Sequence, residues 1–271
     1  MAQTVWKGHL TFGLVSVPIR LYAAARSETV SFNQLHKSCG SRVKQKLFCP
    51  ACEKTVERSE LVKGAEVEGG RFVLVEESDL QAIAPESGTS MEVLEFVKLD
   101  EVDPVYFDTS YYMVAENKAG EKPYFLLQKS LHEMQYAAIA KLSKANKEHI
   151  VIVRPSGAGL MLHTLYYQDE VRQVADYGQN EGVSLSDKEL ELGKLFVSSL
   201  AGPFDPSKYH DSYRENLTSL IAAKAQGQTI AASAPTAPPP AMDLMAALKA
   251  SLERTQQASP VVDASVTAQA Q

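Results

Sequence analysis

A chain of 271 residues with 45% apolar content, 22% charged residues and a formal net charge of −6 is long enough to bury a substantial core in one large domain with an appendage. No apolar run approaches the roughly 20 residues of a membrane-spanning helix, the first residues lack the charged-then-apolar pattern of a secretory signal, and three cysteines are too few for a disulfide framework; a cytoplasmic protein is expected. The negative net charge excludes indiscriminate attraction to nucleic acid unless basic side chains are gathered on one face.

In chain order, residues 5–22 read as strand. Leu10, Phe12 and Leu14 alternate with polar or small residues, and the phase then switches to Val15, Val17, Ile19 and Leu21. A parity switch beside Gly13 predicts a bulge or bend, and Pro18 weighs against a fully paired central strand. Residues 71–75, 90–97, 110–115, 136–142, 149–154 and 159–167 are further predicted strands, the last two joined by a hairpin loop over residues 155–159. Many strands at short spacing predict a barrel or a sandwich.

Helices interrupt the pattern. Pro123 suits a first helical turn, and Tyr124, Leu127, Leu131 and Met134 follow on one face. Ser186 and Glu189 form a capping box ahead of Leu192, Leu195, Phe196 and Leu200, and Gly202-Pro203 ends that helix. Asp205-Pro206 predicts the cap of another, with Tyr209, Tyr213, Leu217, Leu220 and Ile221 on one face and Gly227 just past its end. The predicted division is therefore a core over residues 1–185, with an insertion at 36–58, and a helical arm over 186–227. An Ala/Pro-rich linker over 228–241, a short amphipathic helix over 242–257 and a disordered tail over 258–271 follow. Leu244, Met245, Leu248 and Leu252 line one face of that short helix. It is too short to be stable alone and wants a partner surface.

The strongest chemical signal is His36-x-x-Cys39 followed by Cys49-x-x-Cys52, which uses every cysteine in the chain. Paired ligands at two-residue gaps present four tetrahedral ligands to one Zn²⁺, and a site closed by four protein ligands is structural. The alternatives are three cysteines packed as small apolar residues, or a Cys39–His36 nucleophile pair, which lacks an accompanying oxyanion hole. Arg42, Lys44 and Lys46 alternate between the ligand pairs, which on a strand places them on one face. Residues 1–63 hold 10 basic against 4 acidic side chains, whereas residues 64–113 hold 2 against 12. Lys141, Lys144 and Lys147 form a second basic group. Phosphate contacts need only cations placed along a groove. A zinc-ribbon interaction or transcription factor remains open on these grounds. No Walker loop or nucleophile elbow is present.

Trp6-Lys7-Gly8-x-Leu10-x-Phe12-Gly13-Leu14-Val15-x-Val17-Pro18 followed by Leu21-Tyr22 resembles the opening strand of bacterial Ku proteins. Phe32-x-Gln34-Leu35-His36 ahead of the cysteines, Leu94-Glu95-Phe96-Val97, Asp103-Pro104-x-Tyr106-Phe107, Asp169-Glu170-Val171-Arg172 and Tyr209-His210-Asp211-x-Tyr213 extend the resemblance, in order, over about residues 4–255. It implies a mixed α+β fold: a Ku-type β-barrel core with a zinc-binding insertion and a C-terminal helical arm. It implies a non-enzymatic, nucleoid-associated homodimer that forms a ring on double-stranded DNA ends. It also implies recruitment of the ATP-dependent multi-domain ligase of non-homologous end joining, ligase D. Read with the basic residues, it makes Arg20, Lys37, Arg42, Lys44, Lys46, Lys141, Lys144 and Arg154 candidate DNA contacts, and it makes His36, Cys39, Cys49 and Cys52 the zinc ligands. One departure is that residues 261–271 contain no Lys or Arg, whereas some relatives carry a Lys-rich tail.

Overall fold

The computed structural model describes residues 3–83, 89–144, 147–178 and 184–228, together with 248, 249, 251 and 253. Its strands are β1 (Thr4–Phe12), β2 (Val15–Ala23), β3 (Leu47–Cys49), β4 (Lys54–Val56), β5 (Lys63–Val67), β6 (Arg71–Val75), β7 (Ser90–Lys98), β8 (Phe107–Ala115), β9 (Tyr136–Lys144), β10 (Lys147–Ser156) and β11 (Gly159–Leu165). Its helices are α1 (Glu77–Ala82), α2 (Lys118–Met134), α3 (Asp187–Leu200) and α4 (Ser212–Ala225). The chain divides into one compact unit ending at Asp176 and a second beginning at Tyr177, somewhat before the boundary expected at 185.

The first unit is built on a closed barrel with strand order β1-β2-β8-β11-β10-β9-β7. Neighbours pair antiparallel except at the seam, where β1 meets β7 in parallel through His9↔Ser90, Leu10↔Met91 and Thr11↔Glu92. Closure leaves no free sheet edge in the barrel and settles the choice between barrel and sandwich.

The parity switch at Gly13 has a different cause from the bulge expected. β1 and β2 are two arms of a hairpin with Phe12 facing Val15, and Gly13 at the turn has φ +57°. Reversing direction through a two-residue turn resets the inward phase. Trp6 and Leu10 on β1 and Val17, Ile19 and Leu21 on β2 consequently all point into one core, with Met91, Met113, Leu142, Val153 and Leu162. Full burial of each aliphatic chain stabilises by about 1.5–3 kcal/mol.

Trp6 and Gly8 explain each other. Both are inward positions of β1, and the space a Gly8 side chain would need is filled by the Trp6 indole and the Thr89 carbonyl. The indole donates through Nε1 to the Ser143 carbonyl of β9 at 3.2 Å. It thus ties β1 to a strand beyond its seam neighbour.

Helix α2 begins at Lys118, earlier than Pro123 suggested, because Asn117 caps it by accepting from the Gly120 amide at 3.0 Å. Gly120 lets the helix lie close on Pro18, which an added Cβ would meet at 3.1 Å. Tyr124, Leu127 and Leu131 join the barrel core. The Tyr124 hydroxyl donates to the Met113 carbonyl at 2.7 Å and accepts from the Leu160 amide at 2.8 Å. Two backbone groups of β8 and β11 that would otherwise be unmet in the core are thereby satisfied. Burial raises the Tyr124 pKa, and the residue acts as a neutral phenol.

In the second unit the capping box of Ser186 and Glu189 starts α3 as expected. The expected cap at Asp205 instead opens a single 3₁₀ turn over Pro206–Lys208, and α4 starts later from Asp211, whose carboxylate accepts from the Arg214 amide at 2.9 Å. A proline-initiated turn uses its cap locally and does not have to continue into a helix. Gly227 follows α4 with φ +78°. Neither α3 nor α4 has a buried residue, and Leu190, Leu195, Leu200, Tyr213 and Ile221 are exposed. Of the apolar stripe expected near the C-terminus only Leu248 is among the described residues; Leu244, Met245 and Leu252 lie outside them, as do most of residues 229–271. No helix among the described residues is long and apolar enough to cross a membrane.

Candidate nucleic-acid interface and metal-ligand pairs

Alternation assigns the outer face of the barrel. Since Val17, Ile19 and Leu21 point inward, Pro18, Arg20 and Tyr22 point outward. On the same face of β1, Lys7 stands opposite Arg20. Lys7 was not singled out from the sequence, although its place between the inward Trp6 and Gly8 is the signal that turns it outward. Glu116 takes both cations: Lys7 Nζ lies 2.6 Å and Arg20 Nη2 3.0 Å from the same carboxylate oxygen. The Lys7 hydrogen bond first, and then that of Arg20, holds the Glu116 carboxyl below the usual carboxylate range. Glu116 in turn raises the Arg20 pKa. Three charges with a net of +1 are thus fixed on a face where Tyr22 pairs with Tyr112, and Tyr112 with Met161.

That register row ends at Arg154 on β10, which faces Met161. Arg154 is outward because Val151 and Val153 are in the core. Its Nε donates to His163 Nε2 at 2.9 Å, while Nη1 and Nη2 make only long contacts, to the Pro155 carbonyl at 3.5 Å and the Met161 sulfur at 3.9 Å. His163 Nδ1 meets Ser110 Oγ at 2.8 Å. A serine–histidine pair raises the question of nucleophilic chemistry. Here the third group is a cation donating to the ring, which opposes its protonation, the reverse of a carboxylate-oriented base.

The lysines at 141, 144 and 147 do not share a face. Three residues along a strand is an odd number, so Lys141 and Lys144 point to opposite sides of β9. Lys141 is outward and pairs with Glu148 at 2.8 Å. Lys144 Nζ lies 4.9 Å from the centre of the Tyr111 ring, an inward residue, and donates to its hydroxyl at 3.1 Å. The contact is a cation–π pairing between β9 and β8.

Arg42, Lys44 and Lys46 are exposed, but the continuous strand expected for them is not formed. Only Arg42 bridges to Leu35, and β3 starts at Leu47. Lys37 is exposed in the turn just before them. No salt bridge is formed by these four cations among the described residues. Like Arg154 and Lys144 they have no carboxylate partner there, whereas Arg20 and Lys141 each face one.

The four metal-type ligands come as two pairs. In the first, the Gly40 amide donates to the His36 carbonyl at 2.8 Å, and His36 Nδ1 lies 3.2 Å from Cys39 Sγ. Gly40 takes φ +67° to close this turn. In the second, the β3–β4 hairpin places Cys49 opposite Lys54, with Cys52 in the turn. Hydrogen bonds from Ser41 lower the Cys39 pKa. The Cys52 backbone lowers that of Cys49, and the neighbouring Cys49 raises that of Cys52. Among the described residues no three His, Cys, Asp or Glu side chains stand together as a metal-binding group. The donor set of three thiols and one imidazole, on two tight turns, fits zinc chemistry.

The family model for the Ku70/Ku80 beta-barrel domain matches residues 11–192 of this chain. The chain belongs to the Ku family. The match spans the barrel from the end of β1 onward and runs into α3. Among relatives, the non-homologous end joining protein Ku of Koribacter versatilis is 47% identical over 253 residues, 93% of this chain and 86% of that protein. That of Solibacter usitatus is 47% identical over 256 residues, 94% of this chain and 95% of the relative. That of Bacillus subtilis is 34% identical over 272 residues, covering 99% and 87%. The Ku resemblance read from the sequence is therefore correct, and these names give no catalytic activity. The outward cations Lys7, Arg20 and Arg154 thus sit on a Ku barrel.

Proposed function

We propose that this chain binds double-stranded DNA ends in non-homologous end joining, as a homodimeric ring and without catalysis of its own. The observation that carries this reading is Ku-family membership combined with a barrel face bearing Lys7, Arg20 and Arg154. Unneutralised cations at Lys37, Arg42, Lys44 and Lys46 add to it. Contacts from such side chains go to phosphate, carry no sequence information and weaken with salt. The dimer is supported by α3 and α4, whose apolar side chains lack a core of their own; an apolar stripe of that kind wants a second surface. In this reading the terminal segment with Leu244, Met245, Leu248 and Leu252 is the tethered element that recruits the multi-domain ATP-dependent ligase. A tether raises the local concentration of a weakly bound partner.

The test of ring formation is topological. Linear duplex is expected to be bound by two protomers regardless of sequence, and covalently closed circular duplex is expected to be bound only at the non-specific level. Equal affinity for both forms removes end threading, and a sequence-specific monomer points to a transcription factor.

A structural Zn²⁺ belongs to the same proposal, held by His36, Cys39, Cys49 and Cys52. It would supply folding free energy to residues 36–58 and would keep Arg42, Lys44 and Lys46 in place. Cys49→Ser is expected to weaken zinc binding relative to wild type, since it removes one of the three thiolates and leaves water in the fourth position. Hydrogen-exchange protection over residues 36–58 should fall, while the barrel melts at the unchanged temperature. Wild-type protein purified with no bound zinc, and unable to take it up, would rule the site out.

A further inference from the structure

We propose that His163 is a positioning residue for DNA binding. As the neutral ring it fixes the Arg154 guanidinium by its inner nitrogen, so that the two outer nitrogens are presented to a phosphate. The inference rests on the DNA-binding reading above and names a residue and a regulation which that reading does not contain.

The hydrogen-bond chain determines the tautomer. Arg154 has only donors, so its Nε–H must give to His163 Nε2 at 2.9 Å. The ring proton therefore sits on Nδ1 and is given to Ser110 Oγ at 2.8 Å. The Phe107 ring lies 5.1 Å away and tilted by 43°, which holds the imidazole from one side. Held by Nε alone, the guanidinium keeps Nη1 and Nη2 for a bidentate partner, because their present contacts are long and weak. A fork of two parallel N–H donors matches a phosphate. Without His163 the long Arg154 side chain would have to be ordered at the moment of binding, at a cost in entropy that lowers affinity while the cation itself remains.

The same arrangement makes the contact depend on pH. Each element packed on His163 contributes an identifiable group: Arg154 from β10, and the Ser110 hydroxyl and the Phe107 ring from β8. Asp108, also on β8, is turned to Thr164 and Tyr166. The charge facing the ring is therefore positive. Burial first, and then Arg154, lower the His163 pKa from its ordinary value. A histidine with a depressed folded pKa keeps its neutral-form interaction above about 6.5 and loses it as pH falls through the depressed value. Once protonated, Nε2 is a donor facing a donor, and the guanidinium is released.

The experiment measures affinity for a linear duplex as a function of salt at pH 8 and pH 5 in wild type, His163→Gln and His163→Phe. The Gln side-chain oxygen can accept from Arg154 but does not titrate; Phe keeps the ring shape and cannot accept. At pH 8 the Gln variant is expected to match wild type. The Phe variant should bind several-fold more weakly near 0.1 M salt, at most the roughly eightfold that one phosphate contact is worth there. As pH falls toward 5, through the depressed value, wild type should lose affinity relative to the Gln variant, which carries the same remaining histidines and so cancels their titration. The proposal is overturned if wild type and His163→Gln change in parallel with pH, or if wild type gains affinity relative to it. It is equally overturned if a folded Phe variant binds linear duplex as tightly as wild type at pH 8. If the Phe variant does not fold, the comparison of wild type with Gln decides alone. Failure of wild type to bind linear duplex at any pH would instead overturn the DNA-binding reading itself.

Discussion

Replacing Gly8 by alanine is expected to unfold the barrel at moderate temperature. The added methyl group has no free direction, since on one side it meets the Thr89 carbonyl oxygen and on the other the Trp6 indole. The carbonyl cannot yield cheaply, because it accepts from the His9 amide at 2.9 Å beside the parallel seam of β1 and β7. The indole cannot swing away without giving up its bond to Ser143 and entering a filled core. Overpacking commonly costs 1–3 kcal/mol when side chains can adjust. With backbone on one side and a locked indole on the other, the cost here should exceed about 3 kcal/mol, a large part of the 5–15 kcal/mol that hold a typical domain. At roughly 2–4 °C per kcal/mol for a domain of this size, the melting midpoint should fall by at least about 6–12 °C. A thermal scan by circular dichroism measures it, and a midpoint within two or three degrees of wild type, a margin of roughly 1 kcal/mol, would show that the seam is soft. Trp6→Phe combined with Gly8→Ala should recover part of the loss, because residues in contact are not additive.

The largest effect on function is expected from removing Arg42, Lys44 and Lys46 together as alanines. These are exposed cations without a carboxylate partner among the described residues, so nothing in the fold offsets their attraction to phosphate. If each meets one phosphate, the salt slope should become shallower by about 2.7, and affinity near 0.1 M salt should fall by two to three orders of magnitude, roughly. The change at Arg20 should be smaller, since Glu116 already shares its charge with Lys7. A gel-shift titration at three salt concentrations reads both quantities. A triple variant with the wild-type slope would place the DNA contacts on the barrel face alone. Because the three residues lie outside every barrel strand, the melting temperature should stay the same, which separates this loss from misfolding.

Much of the fold was legible in local pattern. Alternation marked residues 5–22 and β-favouring composition marked six further segments, which together cover eight of the eleven strands among the described residues, and the Ser186–Glu189 box marked the start of α3. The misreadings were also local in origin. The phase switch at Gly13 is compatible with a bulge or a tight hairpin, and only the pairing of Phe12 with Val15 distinguishes them. Pro123 suggested a helix start because the cap that decides it, Asn117, precedes the apolar stripe. β3 and β4, at three residues each, are too short to show a period, and β5, Lys63–Val67, has a single β-branched residue and a glycine where β6 is rich in Val and Phe.

Taken alone, the sequence determined the inward alternation along the first two strands, where α3 begins, that two pairs of metal-type ligands sit on turns, and which family the chain resembles. Each of these depends on spacing within a few residues, and spacing survives in one dimension. The tertiary structure decided which cations are free and which are spent. Glu116 reaches Lys7 and Arg20 across about 100 residues, Arg154 meets His163 only because β10 and β11 pair in one register, and Lys144 turns inward by a single step of strand parity. Electrostatic partners and hydrogen-bonded tautomers are set by distances between strands. Those distances exist only once the barrel has closed.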